Sequence, residues 1–263
     1  MERTQSLSEA QAGATRHPVV FLGAGPGDPE LITLKGRRLL DAADVVVYAG
    51  SLVNIALLDG IKAVCYDSAA MDLEAIMQTL AKGHREGLRV VRLHTGDPAI
   101  YGAIREQMQW LDAVAIPYEV VPGVSSAFAA SAALKKELTV PEVTQTVIFT
   151  RQAGRTPVPE PESLRNLARV QATMCIFLSV SMMARVVEDL LAGGYPAHTP
   201  IAVVERASWP DQQIVRGVLA DIAAKIEASQ IKKTAMIVVG PALAEDSRIA
   251  SKLYDAAFTH EYR

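Results

Sequence analysis

Four short stretches of the chain place small residues beside isolated polar ones. They are Gly23-Ala24-Gly25-Pro26-Gly27-Asp28-Pro29, Thr95-Gly96-Asp97-Pro98, Pro122-Gly123-Val124-Ser125-Ser126 and Arg206-Ala207-Ser208. Small residues let a ligand approach the main chain closely, and Ser125 and Ser126 stand where a helix N-terminus can bind a carboxylate. Asp97 is suited to accept a hydrogen bond from an amino group or a ribose hydroxyl. Taken singly, each stretch also reads as an ordinary strand-to-helix turn. Four together favour a ligand site built largely from backbone.

The first stretch is not a dinucleotide fingerprint. G-x-G-x-x-G counted from Gly23 needs its third glycine at the position of Asp28, where a carboxylate repels a pyrophosphate. Pro26 and Pro29 remove two N–H donors from the loop. The second apolar run, Val45-Val46-Val47-Tyr48, leads into Ala49-Gly50-Ser51, with no acid to hold a ribose. A rigid loop beside a different ligand fits better.

Nothing else forms a recognisable catalytic set. Ser125 lacks a G-x-S-x-G elbow and an assignable histidine partner. Histidines 17, 84, 94, 198 and 260 contain no i, i+3 or i, i+4 pair, so no metal site is expected. His94 stands out by preceding the Thr-Gly-Asp turn, with a strand-end residue in a polar loop as the plain alternative. Lys35, Arg37 and Arg38 near the glycine loop suit an acidic substrate, and a solvated helix face explains them equally well.

Alternating strands and helices must position these turns. Apolar runs predict strands at Val19–Gly23, Asp44–Tyr48, Ile61–Tyr66, Leu88–Leu93 and Tyr118–Val121. Helices are predicted over Leu31–Ala42, over a face marked by Leu73, Ile76, Met77 and Leu80 with Asp72 as its cap, over Tyr101–Leu111, and in the Ala/Ser-rich stretch after Gly123. The rhythm changes near Leu138–Val143. Strands follow at Thr144–Phe149, Met174–Leu178, Ile201–Glu205, Gln213–Gly217 (antiparallel) and Ala235–Val239, with a short amphipathic helix and helices Met182–Leu191 and Val218–Ala228 between them. The fold class is therefore α/β, two α/β domains with mixed, largely parallel sheets. The domains are expected at 18–138 and 139–263, after a loose N-terminal tail, 1–17.

At 263 residues, half of them hydrophobic, the chain can bury a large core. A net charge of −3 argues against a nucleic-acid binder. Cys65 and Cys175 lie in separate apolar segments and are expected as buried hydrophobes in a reducing compartment. No stretch reaches the length of a membrane span, and the polar N-terminus lacks a signal-peptide core. A cytoplasmic protein is expected.

With these turns in order, the chain resembles the tetrapyrrole methylase family, whose members transfer a methyl group from S-adenosylmethionine. The likeness rests on Gly23–Pro29, Gly96-Asp97-Pro98, Pro122–Ser126, Gln213-Ile214-Val215-Arg216-Gly217 and Thr234–Gly240, and covers about residues 18–243. Within the family it is similar to the branch that methylates C11 of precorrin-4 or cobalt-precorrin-4 in cobalamin biosynthesis. Tyr48–Val53, Leu138–Ile148 and the ending His260-Glu261-Tyr262-Arg263 carry that closer likeness. The uroporphyrinogen-methylating branch has an acid after its second strand and a lysine after its third. This sequence has Ala49 and Asp67 there, so that branch is the alternative, ahead of an NAD-dependent oxidoreductase or an inactive cofactor-binding scaffold.

The resemblance implies an S-adenosylmethionine site lined by Pro26, Thr95, Gly96, Asp97, Ile100, Ser125 and Ser126, with Leu178, Ala207, Thr234 and Ala235 contributed by the second domain. It implies a macrocycle trough bordered by Gly25, Pro26 and Gly27. Lys35, Arg38 and Arg151 are candidates to pair with the substrate's carboxylates. Asp28 is the candidate base for a ring proton, with capping of its loop as the alternative. The family is usually homodimeric.

Overall fold

The computed structural model describes residues 17–244. The rest of the expected N-terminal tail and the His260–Arg263 motif lie outside the described residues. The chain divides into two compact units, Met1–Ser125 and Ser126–Arg263.

The first unit is a five-stranded sheet made of β1 (Val19–Gly23), β2 (Val45–Tyr48), β3 (Val64–Asp67), β4 (Val90–His94) and β5 (Tyr118–Val121). Its order is β3-β2-β4-β1-β5 and every pairing is parallel. Parallel strands covered on both faces read as continuous apolar runs rather than alternating ones, and β1, with Val19, Val20, Phe21 and Leu22 all buried, is such a run. One face packs Val19, Phe21 and Val47 against α2 (Leu73–Arg85) and α3 (Ile104–Ala113) through Met77, Leu80 and Leu111. The other packs Val20, Leu22 and Val46 with Leu40 of α1 (Leu34–Asp41).

The strand order contains a switch point. From β1 the chain passes over β4 to reach β2, whereas from β4 it passes over β1 to reach β5. The two connections leave in opposite directions, so β1 and β4 flank a switch point, and ligands of open α/β sheets bind beyond the carboxyl ends of strands there. The turns at Gly23–Pro29 and Thr95–Pro98 follow these two strands.

The second unit begins with α4 (Ser126–Leu134), which packs against β10 (Ala235–Val239). Its sheet also contains β6 (Val147–Arg151), β7 (Thr173–Phe177), β8 (Pro200–Glu205) and β9 (Gln213–Val218), in the order β6-β7-β10-β8-β9. One pairing, β6 with β7, is parallel and three are antiparallel. The second sheet is therefore mixed, and the antiparallel pairings are confined to this unit. The expected antiparallel strand at Gln213 pairs with β8, Gln213 opposite Glu205. Helices α5 (Leu164–Ala168), α6 (Met183–Ala192) and α7 (Ile222–Ser229) cover one face through Leu164, Val186, Leu190 and Ile222.

Several element ends differ from expectation for local reasons. Asp72 does cap α2, accepting the Ala75 N–H at 2.8 Å. The first helix starts at Leu34, because Asp28 caps a separate 3-10 turn over Pro29–Leu31 and Thr33 then caps α1. The third helix starts at Ile104, because Tyr101 and Ala103 adopt left-handed backbone, with φ of 55° and 48°. Cys65 is exposed rather than buried, since β3 is an edge strand with all four residues exposed, whereas Cys175 is buried as expected.

Candidate functional site

In the first unit the loops after β1, β4 and β5 meet through their main chains. Gly25 and Gly96 form a two-residue bridge, the Gly96 N–H donating to the Gly25 carbonyl at 2.8 Å and the Gly25 N–H returning at 3.3 Å. A Cβ on Gly23 would lie 2.6 Å from the Gly123 backbone, and one on Gly123 would lie 2.1 Å from the Gly96 carbonyl oxygen. Asp97 ties the arrangement together: one carboxylate oxygen accepts the Gly123 N–H at 3.0 Å and the other the Ala99 N–H at 2.8 Å. The glycines expected to admit a ligand thus admit one another, and Gly25, Pro26 and Gly27 are themselves buried. Asn54 holds the Gly27 carbonyl at 2.9 Å.

Beyond β4 the chain makes a closed turn. A Cβ at Gly102 would meet the Pro98 carbonyl oxygen at 2.2 Å, and the Ile100 N–H donates to the Asp97 carbonyl at 3.3 Å. Thr95, Asp97 and Ile100 are partly exposed on this turn, and Ser125 is buried just beyond β5. Left-handed non-glycine residues each cost on the order of 1 to 3 kcal/mol and gather at functional sites. Tyr101 and Ala103 place two of them on this turn.

The second unit has a comparable concentration of strain. Leu178, Arg206, Ser208 and Thr234 have φ of 53°, 48°, 71° and 52°. Ala235 pairs with Glu205, the Arg206 N–H donates to the Thr234 carbonyl at 2.8 Å, and β7 runs antiparallel to β10 with Ile176 opposite Ile237. Leu178, Ala207, Thr234 and Ala235 therefore lie at one end of the second sheet. Leu178 is 67% exposed there. The sequence singled out Arg206-Ala207-Ser208 for its small residues, but the left-handed backbone at Leu178, Arg206, Ser208 and Thr234 carries no local sequence signature. Arg206 is held by Asp211 at 2.6 Å and lies 4.3 Å over the Trp209 ring.

The charged candidates fall into different settings. Lys35 is paired with Glu119, and Arg151 donates to the carbonyls of Thr156 at 3.1 Å and Pro157 at 2.7 Å, closing its own loop. Arg38 is exposed on α1. Asp28 accepts the Glu30 N–H at 2.9 Å, so it does cap its loop. Asp67 accepts the N–H groups of Gly50 and Ala69, each at 2.9 Å, and so joins the ends of β2 and β3.

His94 is buried, not part of a polar loop, and its Nε2 has no hydrogen-bond partner among the described residues. Burial, and then the charge of Arg92 on the same face of β4, push its pKa down to about 3. The unfolded chain protonates this histidine below about pH 6.5 and the native state does not, so stability falls as pH drops from about 6.5 toward 3. At pH 5 the loss is about 2 kcal/mol. Urea unfolding should show the gap between the wild type and His94→Leu changing by that amount from pH 7 to pH 5; a constant gap would contradict the assignment.

Against known proteins, residues 18–223 match the model of the Tetrapyrrole (Corrin/Porphyrin) Methylases. The chain belongs to the tetrapyrrole methylase family. A cobalt-precorrin-4 C(11)-methyltransferase of Methanocaldococcus jannaschii is 58% identical over 93% of this chain and 95% of its own length. A precorrin-4 C(11)-methyltransferase of Pseudomonas aeruginosa is 52% identical over 93% and 98%. The X-ray structure of a cobalt-precorrin-4 methyltransferase of cobalamin biosynthesis superposes with a TM-score of 0.84 at 48% identity, covering 86% of this chain and 95% of that one. A uroporphyrin-III C-methyltransferase of Thermus thermophilus complexed with S-adenosyl homocysteine gives 0.75 at 31% identity, over 86% and 99%. Among the described residues of this methylase, no helix is long and apolar enough to cross a membrane.

Proposed function

We propose that this methylase transfers a methyl group from S-adenosylmethionine to C11 of precorrin-4, with or without cobalt, in cobalamin biosynthesis. The observation that carries the reading is 58% identity, across nearly the whole folded chain, to a protein named for that reaction. The relative solved with S-adenosyl homocysteine supports the cofactor. The uroporphyrinogen alternative is weaker, because Ala49 stands where that branch has an acid and Asp67 is committed to backbone N–H groups.

The residues present fit a sulfonium cofactor. The turn over Thr95–Ile100 contains small residues, backbone groups and one carboxylate, and no cation. By the family likeness, Thr95, Gly96, Asp97, Ile100, Ser125 and Ser126 would hold it. The bound cofactor supplies an electrophilic methyl group: a ring carbon forms the new C–C bond as the C–S bond breaks, and a neutral thioether leaves.

The chain's task is positioning, which can contribute roughly 7 to 11 kcal/mol of a barrier. Positive charge disperses in the transition state, so fixed carbonyl dipoles in a dry site help more than an acid would. The backbone junction of Gly23, Gly96 and Gly123 keeps such dipoles from reorganising. Lys35, Arg38 and Arg151 are proposed to face the substrate's acetate and propionate groups, with Gly25, Pro26 and Gly27 bordering the ring. A homodimer in the cytoplasm belongs to the same proposal, by family likeness.

Asp28 is the proposed acceptor of the ring proton. Asparagine keeps a carbonyl to cap Glu30, so Asp28→Asn isolates the charge from the cap. Turnover is expected to fall about tenfold, below the range of a full general base because methylation acidifies the ring proton, with S-adenosylhomocysteine affinity unchanged. A wild-type rate would remove Asp28 from the chemistry. The function itself is tested by incubating the protein with 13C-methyl S-adenosylmethionine and a precorrin-4-generating system, then locating the label by NMR. Label at C11 is expected; label at another carbon, or none, overturns the reading.

A further inference from the structure

Beneath the Thr95–Ala103 turn lies a buried polar chain for which the chemistry above has no use. Arg92 of β4 is 6% exposed and Gln107 of α3 is 4% exposed. The Arg92 Nε donates to the Gln107 carbonyl oxygen at 3.2 Å, and a terminal guanidinium nitrogen donates to the Val47 carbonyl at 3.1 Å. Gln107 in turn donates its amide to the Ala103 carbonyl at 3.0 Å. Burial lowers the Arg92 pKa only to about 10, so the guanidinium keeps its charge at neutral pH. A buried arginine answered by an amide and a carbonyl is a costly way to fill a core.

The hydrogen-bonded series ends at the Ala103 carbonyl. Ala103 is the left-handed residue on which α3 starts, and no side chain caps it. The turn it closes is fixed at its other end by Asp97 on Gly123. Between those two anchors lie Pro98, Ile100 and Tyr101, the last also left-handed. The turn is thus clamped from the neighbouring loop on one side and from β2, through Arg92 and Gln107, on the other.

We propose that Gln107, oriented by Arg92, is a positioning residue for the cofactor: it holds Ala103 left-handed and so keeps the Thr95–Ala103 turn in its binding shape. This rests on the reading that the turn binds S-adenosylmethionine. The role differs from simple core filling in what each atom of Gln107 does. Its carbonyl satisfies Arg92, which is a matter of stability, whereas its amide holds Ala103, which is a matter of the turn.

The two halves can be separated. Gln107→Met removes both contacts. Gln107→Glu gives Arg92 a charged partner and places a carboxylate oxygen against the Ala103 carbonyl. S-adenosylhomocysteine affinity is measured by calorimetry, the thermal midpoint by calorimetric melting, and kcat at saturating S-adenosylmethionine with precorrin-4. Both variants should bind the thioether about tenfold more weakly, with kcat within about twofold of wild type. The melting temperature should fall for Gln107→Met and recover for Gln107→Glu. Recovery of affinity along with stability in Gln107→Glu would overturn the proposal, since the role would then be core filling. Wild-type affinity in both variants while Asp97→Ala loses affinity would overturn it and leave the cofactor reading standing. Wild-type affinity in all three variants would overturn both.

Discussion

Gly123→Ala is expected to lower stability by about 3 kcal/mol, the upper part of the range for overpacking. The thermal midpoint should fall on the order of 10 °C. The added methyl would sit 2.1 Å from the Gly96 carbonyl oxygen and 2.8 Å from the Gly23 Cα. Both are backbone atoms at the carboxyl ends of strands in the same sheet, so neither can swing aside as a flexible side chain would. Something must separate, and the loops after β1, β4 and β5 are what can. Cofactor affinity should fall with stability. Gly60→Ala serves as the comparison: a Cβ there meets nothing within 4 Å, but φ is +76°, so only the left-handed penalty of about 1 to 2 kcal/mol applies. Equal melting temperatures for the two variants, or an unchanged one for Gly123→Ala, would contradict the account of the junction.

Asp97→Ala is expected to weaken S-adenosylhomocysteine binding about 100-fold, equivalent to about 2.7 kcal/mol. Removing the carboxylate strips acceptors from the Gly123 and Ala99 N–H groups at once. Each loss costs about 1 to 3 kcal/mol if water does not replace it. Each oxygen also has a second lone pair, so Asp97 can brace the loops and still accept a bond from a ligand. Asp97→Asn keeps one acceptor and turns the other into a donor aimed at an N–H, and should fall between alanine and wild type. Calorimetric titration of the three proteins checks the order, and an unchanged affinity in Asp97→Ala would remove Asp97 from the site.

The sequence made the order of strands and helices legible, and with it the turns between them. β-Branched runs and glycine breaks are local signals, and Asp72 as a cap is another. Pairing direction is not local, so of the three antiparallel pairings, all of them in the second unit, only that of the strand at Gln213 was expected. Tyr101 and Ala103 look like the first turn of a helix because nothing in their side chains announces left-handed backbone. Gln107 reads as a polar helix residue until Arg92 is seen behind it. Lys35 and Arg151 were legible as cations near the glycine loop and the sixth strand, but not as groups already matched by Glu119 and by loop carbonyls. His94 was noticed for its place in the sequence, and only packing revealed that it is buried and neutral.

The turn after β4 is proposed to hold the cofactor by its main chain. A crystal structure of the protein with S-adenosylhomocysteine tests it most directly. The thioether is expected against the backbone of Thr95–Ile100, within hydrogen-bond reach of groups on that turn. Density for the ligand elsewhere on the protein, with this turn uncontacted, would contradict it.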